Sequence, residues 1–257
     1  MKDYDRSLVV SCQKSSMASE AYRALRTNLL FYRTKIKEQP LTIVVTSANP
    51  GEGKSVTAAN TAYVLAQSKH RTLLVDGDLR KPKIHEIFGM DCRKGLESIL
   101  DGSMSFEECV RHTALPELDI LGSEPGHKDS TELLYSKRLY DFISNARAKY
   151  DIIIFDSPPM GILTDSTLIA THSDGVLWVV SEGEVTGKEL RRIRKHLDNM
   201  GISLIGVVYN KARISMSSYG SYVYRDRGSQ NSCTERKTEK YPNKRLSLVL
   251  SKLFRKK

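Results

Sequence analysis

No two of the four cysteines, Cys12, Cys92, Cys109 and Cys233, stand in a C-x-x-C pair. Zinc ribbons and dithiol redox sites need that spacing, so neither is supported. The six histidines show no metal spacing either. Reduced thiols are the expectation in a cytosolic setting. No apolar run approaches the ~18 residues that a membrane-spanning helix requires. The opening MKDYDRSLVV is short and carries acids, unlike a secretory signal. A cytoplasmic protein is therefore expected. Internal repeats are also missing.

What is present is a chain of 257 residues with 40% hydrophobic residues, enough for one large α/β domain and a tail. The formal net charge of +10 is unevenly placed. Residues 211–257 carry 13 Lys and Arg against 3 Asp and Glu, and the rest of the chain balances 27 against 27. A neutral body with a basic tail does not read as a nucleic-acid binder. It points to a tail that meets a membrane surface, phosphates or an acidic partner.

Residues 1–18 form an N-terminal segment, of which residues 1–16 read as polar and loosely ordered. A helix is expected from near Ser19 through EAYRALRTNLLFYRTKI, with Ala21, Leu25, Leu29 and Tyr32 on one face and Pro40 closing it. Five buried strands then follow: LTIVVTS, RTLLVDGD, YDIIIFDSPP, GVLWVVSE and ISLIGVVYN. Continuous Val/Ile/Leu runs suit strands covered on both faces, and helical patterns alternate with them. The expected fold is α/β, a doubly wound, mainly parallel sheet with helices on both faces, spanning 19–212. Residues 213–257 read as a flexible tail. Trp178 lies in an apolar strand and is expected in the core.

The strongest signal is Ala48-Asn49-Pro50-Gly51-Glu52-Gly53-Lys54-Ser55, a P-loop spacing in which Ala48 replaces the usual first Gly. A strand leads into a turn of backbone N–H groups, and the following helix points its N-terminus at the same place. Gly51 and Gly53 permit close approach to phosphate, Lys54 reaches the β and γ phosphates, and Ser55 binds Mg²⁺. A chance glycine turn would lack the strand before and the helix after. Two further strands end in acids, Asp76-Gly77-Asp78 and Asp156-Ser157-Pro158-Pro159. In a parallel sheet these ends lie on the P-loop edge, so the carboxylates face bound Mg²⁺-ATP. Asp156 has the position of a Walker B carboxylate.

The segments LLVDGDLRKPKIH and IIIFDSPP resemble the Walker A′ and Walker B motifs of bacterial tyrosine kinases, within the P-loop group that also holds MinD and ParA. The likeness runs from about Ser19 to Asn210 and includes EAYRALRTNL, GLESILDG, ELL, PPMGILTD and GVVYNK. It is nearest to the soluble CpsD/CapB type of capsule and exopolysaccharide systems. The resemblance implies ATP contacts from Gly51, Glu52, Gly53, Lys54, Ser55, Val56 and Asn210. It implies Mg²⁺ held around Ser55, Asp78 and Asp156. Asp76 becomes the leading acceptor of the tyrosine proton, with Asp78 as the alternative, and Lys54 acts in catalysis. His127-Lys128-Asp129-Ser130 departs from the Asn-Pro pair that family members often carry before ELL.

The same resemblance makes Glu20-x-x-Arg23-x-x-Arg26 an oligomerisation motif on one helix face, where a solvated charged face is the plainer reading. It makes Tyr219, Tyr222 and Tyr224 sites of autophosphorylation by a neighbouring subunit, with Tyr241 further along. It further implies a homo-oligomeric ring, a membrane adaptor that brings the protein to the inner face of the cell membrane, and a cognate tyrosine phosphatase. No nucleic acid is expected. Near the end, Leu246, Val249, Leu250 and Leu253 share a helical face among Arg and Lys, as a membrane-surface helix, a docking helix or a solvated basic end. The alternative function is a MinD/ParA-like spatial-organiser ATPase. Against it, Ala48-Asn49-Pro50 lacks the second lysine of that group, and the tyrosine-rich tail would have no purpose.

Overall fold

The structure, a computed structural model, describes residues 7–36, 39–91, 94–124, 130–160, 164–183 and 186–212. The tail tyrosines and the basic apolar end therefore lie outside the described residues. So do Cys92, Cys233 and most of the His127–Ser130 stretch.

Seven strands form one sheet: β1 (Leu41–Ser47), β2 (Thr72–Asp76), β3 (Arg111–His112), β4 (Leu118–Leu121), β5 (Ile152–Asp156), β6 (Gly175–Ser181) and β7 (Leu204–Asn210). Their spatial order is β3-β4-β2-β5-β1-β6-β7. All neighbouring pairs are parallel except β3 with β4 at the edge. All five expected strands are present. The pair β3 and β4 was not anticipated, because two and four residues are too short to show a periodicity.

Side chains alternate across the strands. Val44, Val75, Phe155 and Trp178 enter the core on one face, and Ile43, Val45, Leu74 and Ile154 enter the core on the other. The first face is covered by α5 (Leu96–Asp101), α8 (Lys137–Lys149), α9 (Asp165–Thr171) and α10 (Gly187–Asn199). The second is covered by α1 (Val9–Cys12), α2 (Met17–Lys35), α3 (Lys54–Gln67) and α4 (Ile84–Phe88). The short helices α6 (Phe106–Cys109) and α7 (Ser130–Tyr135) complete the first layer. Burial on both faces explains why these strands read as unbroken apolar runs. Trp178, 2% exposed, is a core residue as expected.

Helix α2 starts two residues before the expected position, because the Ser16 hydroxyl accepts from the Ser19 N–H and caps it. Its inward face is Tyr22, Leu25, Leu29 and Tyr32, and Ala21 is exposed. The 3-4-3 spacing thus begins at Tyr22 rather than Ala21.

The N-terminal segment is also not loosely ordered throughout. Leu8 and Val10 are buried against α3 and the sheet. Buried Asn60 on α3 makes this possible. Its Nδ2 donates to the Ser7 carbonyl at 2.8 Å, and its Oδ1 accepts from the Val10 N–H at 3.2 Å. A polar residue on an otherwise apolar helix face thereby satisfies the backbone of a docked strap. Asn60→Ala leaves those groups unpaired and is expected to destabilise the fold by about 1–3 kcal/mol in urea unfolding. A change within error would show that the strap is not held this way.

Candidate active site

The P-loop lies between β1 and α3, at the carboxyl end of β1, an interior strand of the sheet. Gly51 and Gly53 have φ of 82° and 90°, the left-handed region that glycine adopts without strain. At Gly53 a side chain has no room: an added Cβ would sit 2.1 Å from Asn210 Nδ2. That amide donates to the Glu52 carbonyl at 2.9 Å, so the end of β7 is pinned to the loop. The Glu52 side chain is buried beneath the loop. Its Oε2 accepts from the Asn49 N–H at 2.7 Å and its Oε1 from the Ser181 N–H at 3.3 Å. One carboxylate thus ties the start of the loop to the end of β6.

A cavity of about 550 Å³ opens over this loop, within the range of small-molecule sites. Of the ATP residues implied by the resemblance, Gly51, Gly53, Lys54, Ser55 and Val56 line it, together with Asp78. The Glu52 side chain does not. Asn210 is not among the lining residues, and its side chain meets the loop at Glu52 and Gly53. Lys54 is 8% exposed, at the first turn of α3.

The acids sit as neighbouring strand ends dictate. Parallel pairing of β2 with β5 puts Asp76 beside Asp156. Both are buried. Asp76 Oδ2 accepts from the Lys83 and Ile84 N–H groups at 2.8 and 2.9 Å, holding the loop that opens α4. Burial, then the Asp156 charge, lift Asp76 well above the usual carboxylate range against the pull of those two donors. Burial also pushes Asp156 up to about 7, opposed by a hydrogen bond from Ser55 and by the Lys54 charge. Asp156 Oδ1 has no hydrogen-bond partner among the described residues. Asp78 is raised as well, chiefly by burial, and its Oδ1 accepts from the Lys81 N–H at 3.0 Å.

These residues fit a divalent cation. A buried, partnerless carboxylate oxygen beside Ser55 is short of positive charge. Among the described residues no three acids converge closely enough to hold a metal alone. Mg²⁺ would therefore draw on Ser55 and phosphate oxygens as well, which suits an ion that keeps waters and binds through few carboxylates.

Sequence reasoning passed over a second cluster at the rim. Arg80 lines the cavity, and its Nε donates to Asp165 Oδ2 at 3.2 Å. Asp165 is buried at the start of α9 and also accepts from the Ser130 and Thr131 hydroxyls at 3.1 and 2.6 Å. An Asp opening a helix is normally read as a cap, so the sequence carried no separate signal for it. Glu20, Arg23 and Arg26 lie on α2, where Glu20 pairs with Arg23 on the surface, and none of the three lines the cavity.

Fold and loop together define a P-loop nucleotide-binding protein, and a family model described as an AAA domain matches residues 41–201. The tyrosine-protein kinase YwqD of Bacillus subtilis (strain 168) is 36% identical over 222 residues, covering 86% of this chain and 93% of that protein. The tyrosine-protein kinase CpsD of Streptococcus pneumoniae is 35% identical, covering 80% of this chain and 90% of that one. The solved kinase domain of the Escherichia coli tyrosine kinase ETK superposes with a TM-score of 0.74 at 27% identity, covering 81% and 82% of the two chains. This chain belongs to that family, the bacterial tyrosine-protein kinases. The cell-division ATPase MinD of Pyrococcus furiosus, at 22% identity and a TM-score of 0.61, shares the fold alone.

A raised carboxylate has a consequence for stability. In the unfolded chain Asp156 titrates near 3.8, and in the folded one near 7. Between those values the folded state keeps a proton that the unfolded state has released, so stability falls as pH rises from about 4 to 7. Asp156→Asn is expected to reduce that slope in nucleotide-free protein, read as melting temperature against pH. An unchanged slope would show that Asp156 ionises normally.

Proposed function

We propose that this chain is an ATP-dependent protein-tyrosine autokinase that modifies Tyr219, Tyr222 and Tyr224 of a neighbouring subunit's tail. The observation that carries the reading is the joining of a P-loop, Lys54 included, to two buried carboxylates and one that faces the cavity. Family membership supplies the acceptor class.

In this reading the backbone N–H groups of residues 51–55 cradle the phosphates and Lys54 lies along the β and γ oxygens. Ser55, with Asp78 and Asp156, would hold Mg²⁺, which would neutralise phosphate charge when bound. The tyrosine hydroxyl attacks in line: its oxygen–phosphorus bond forms as the bond from the γ phosphorus to the bridging oxygen breaks, and ADP leaves. The proton passes to a carboxylate. A tyrosine hydroxyl has a pKa of about 10, so an acceptor with raised proton affinity is better matched than an ordinary acid. Asp76 meets that requirement through its burial beside Asp156. A second assignment, Asp78, is favoured by its place in the cavity wall.

The Glu20-Arg23-Arg26 face is the surface for self-association into a ring in this reading. A membrane adaptor would complete the active state, a cognate phosphatase would reset it, and polysaccharide production would be the process under control. Among the described residues no helix is long and apolar enough to cross a membrane.

Incubation with Mg²⁺-ATP and an adaptor's cytoplasmic tail, followed by phosphopeptide mapping, tests the reading. Label on residues 219–224 is expected, lowered by about 100-fold or more in Lys54→Met. Rapid phosphate release with no phosphotyrosine would contradict it. For the proton acceptor, the residue whose Asn variant loses kcat while retaining Mg²⁺-ADP affinity is the base. Loss of affinity instead marks a cation-holding role.

A further inference from the structure

A second cavity, of about 530 Å³, lies on the sheet face opposite α2 and α3, between α10, Met160 and the first residues of the P-loop. Its apolar lining is Trp178, Met160 and Ile193. Arg192, Lys195 and His196 of α10 add basic groups. Among the described residues the one acid in the wall, Glu189, is already engaged, since its Oε2 accepts from both the N–H and the hydroxyl of Thr186 at 2.7 Å. Among the described residues neither Arg192 nor Lys195 has a carboxylate partner, whereas Arg194 on the same helix pairs with Asp198 at 2.9 Å.

The second observation is inside the cavity wall. Trp178 is 2% exposed, and its indole N–H has no hydrogen-bond partner among the described residues. A buried donor left without an acceptor keeps the cost of its lost water contacts. A native core carries few such groups, and each calls for an explanation. The indole is one of the groups facing this space, so an occupant is the natural source of an acceptor. Volume, apolar lining and a few convergent polar groups together have the make-up of a small-molecule site.

We propose that this cavity is a second ligand site, for a small organic anion. A phosphate or carboxylate group would meet Arg192 and Lys195, an apolar body would lie against Trp178, Met160 and Ile193, and an acceptor atom would take the indole N–H. The site is separate from the nucleotide cavity and does not depend on the phosphoryl-transfer reading. Its occupant would touch Ala48 and Asn49. Asn49 is fixed on both sides, its N–H by Glu52 and its carbonyl by the Ser47 hydroxyl at 2.7 Å. Binding there bears on the loop that holds the phosphates, and any coupling is reciprocal.

Trp178 is the only tryptophan of the chain, so its fluorescence reports on this cavity alone. The probe is 8-anilinonaphthalene-1-sulfonate, an anion with a flat apolar body, titrated into the full chain with energy transfer from Trp178 as the readout. Saturable transfer at one site per chain is expected, weakened about tenfold or more in the double variant Arg192→Glu/Lys195→Glu. Ile193→Trp, which fills the apolar part without altering charge, is expected to abolish saturable probe binding, read by probe emission excited directly. Mg²⁺-ADP affinity serves as the folding control for both variants. Raising Mg²⁺-ADP should leave the probe's apparent affinity unchanged or move it to a plateau. Non-saturable transfer, equal affinity in the charge-reversed variant, or displacement that grows without limit as Mg²⁺-ADP rises would each overturn the proposal.

Discussion

Asp76 and Asp156 are neighbours because β2 and β5 are parallel and in register, and their carboxylates meet where water is excluded. Two like charges in that position cannot both ionise cheaply without a cation. Much of the surrounding site answers this one constraint. Backbone N–H groups of Lys83 and Ile84 face Asp76, and the Ser55 hydroxyl and Lys54 ammonium face Asp156. The deficit that remains, an unpaired Asp156 oxygen, is what a divalent ion bound with phosphate would remove. On the proposed reading, nucleotide and cation would bind together rather than separately.

The P-loop is kept in shape by its own buried carboxylate. Glu52 holds the Asn49 and Ser181 N–H groups, and Asn210 holds the Glu52 carbonyl. β6 and β7 are thereby latched to the phosphate cradle. MinD shares the overall fold at low identity. In this chain the loop opens Ala48-Asn49-Pro50, with no lysine, and the tail carries Tyr219, Tyr222 and Tyr224. The fold supplies the phosphate site, and the chemistry follows from what is placed around it.

The sheet was legible because burial on both faces leaves long Val/Ile/Leu runs, and the P-loop because its glycines and lysine have fixed spacing. β3 and β4 were not, being two and four residues at an edge. The strap at Leu8 and Val10 was missed because what docks it is Asn60, fifty residues away from Val10, and a polar residue on an apolar helix face carries no address. The Arg80–Asp165 pair was missed for the same reason: the two are 85 residues apart, and only the folded chain joins them. Local pattern reveals elements, and long-range polar pairs appear only once those elements are packed.

For a cation to bind beside Asp156, its raised, buried carboxyl must give up a proton. Calorimetric titration of Mg²⁺-ADP into the protein, in two buffers of different ionisation enthalpy, measures the protons released. Net release is expected just below about pH 7, fading as the pH rises a unit or two above the Asp156 value, and lost in Asp156→Asn. Binding of Mg²⁺-ADP with no proton release at pH 6.5, or release that persists unchanged in Asp156→Asn, would contradict the account.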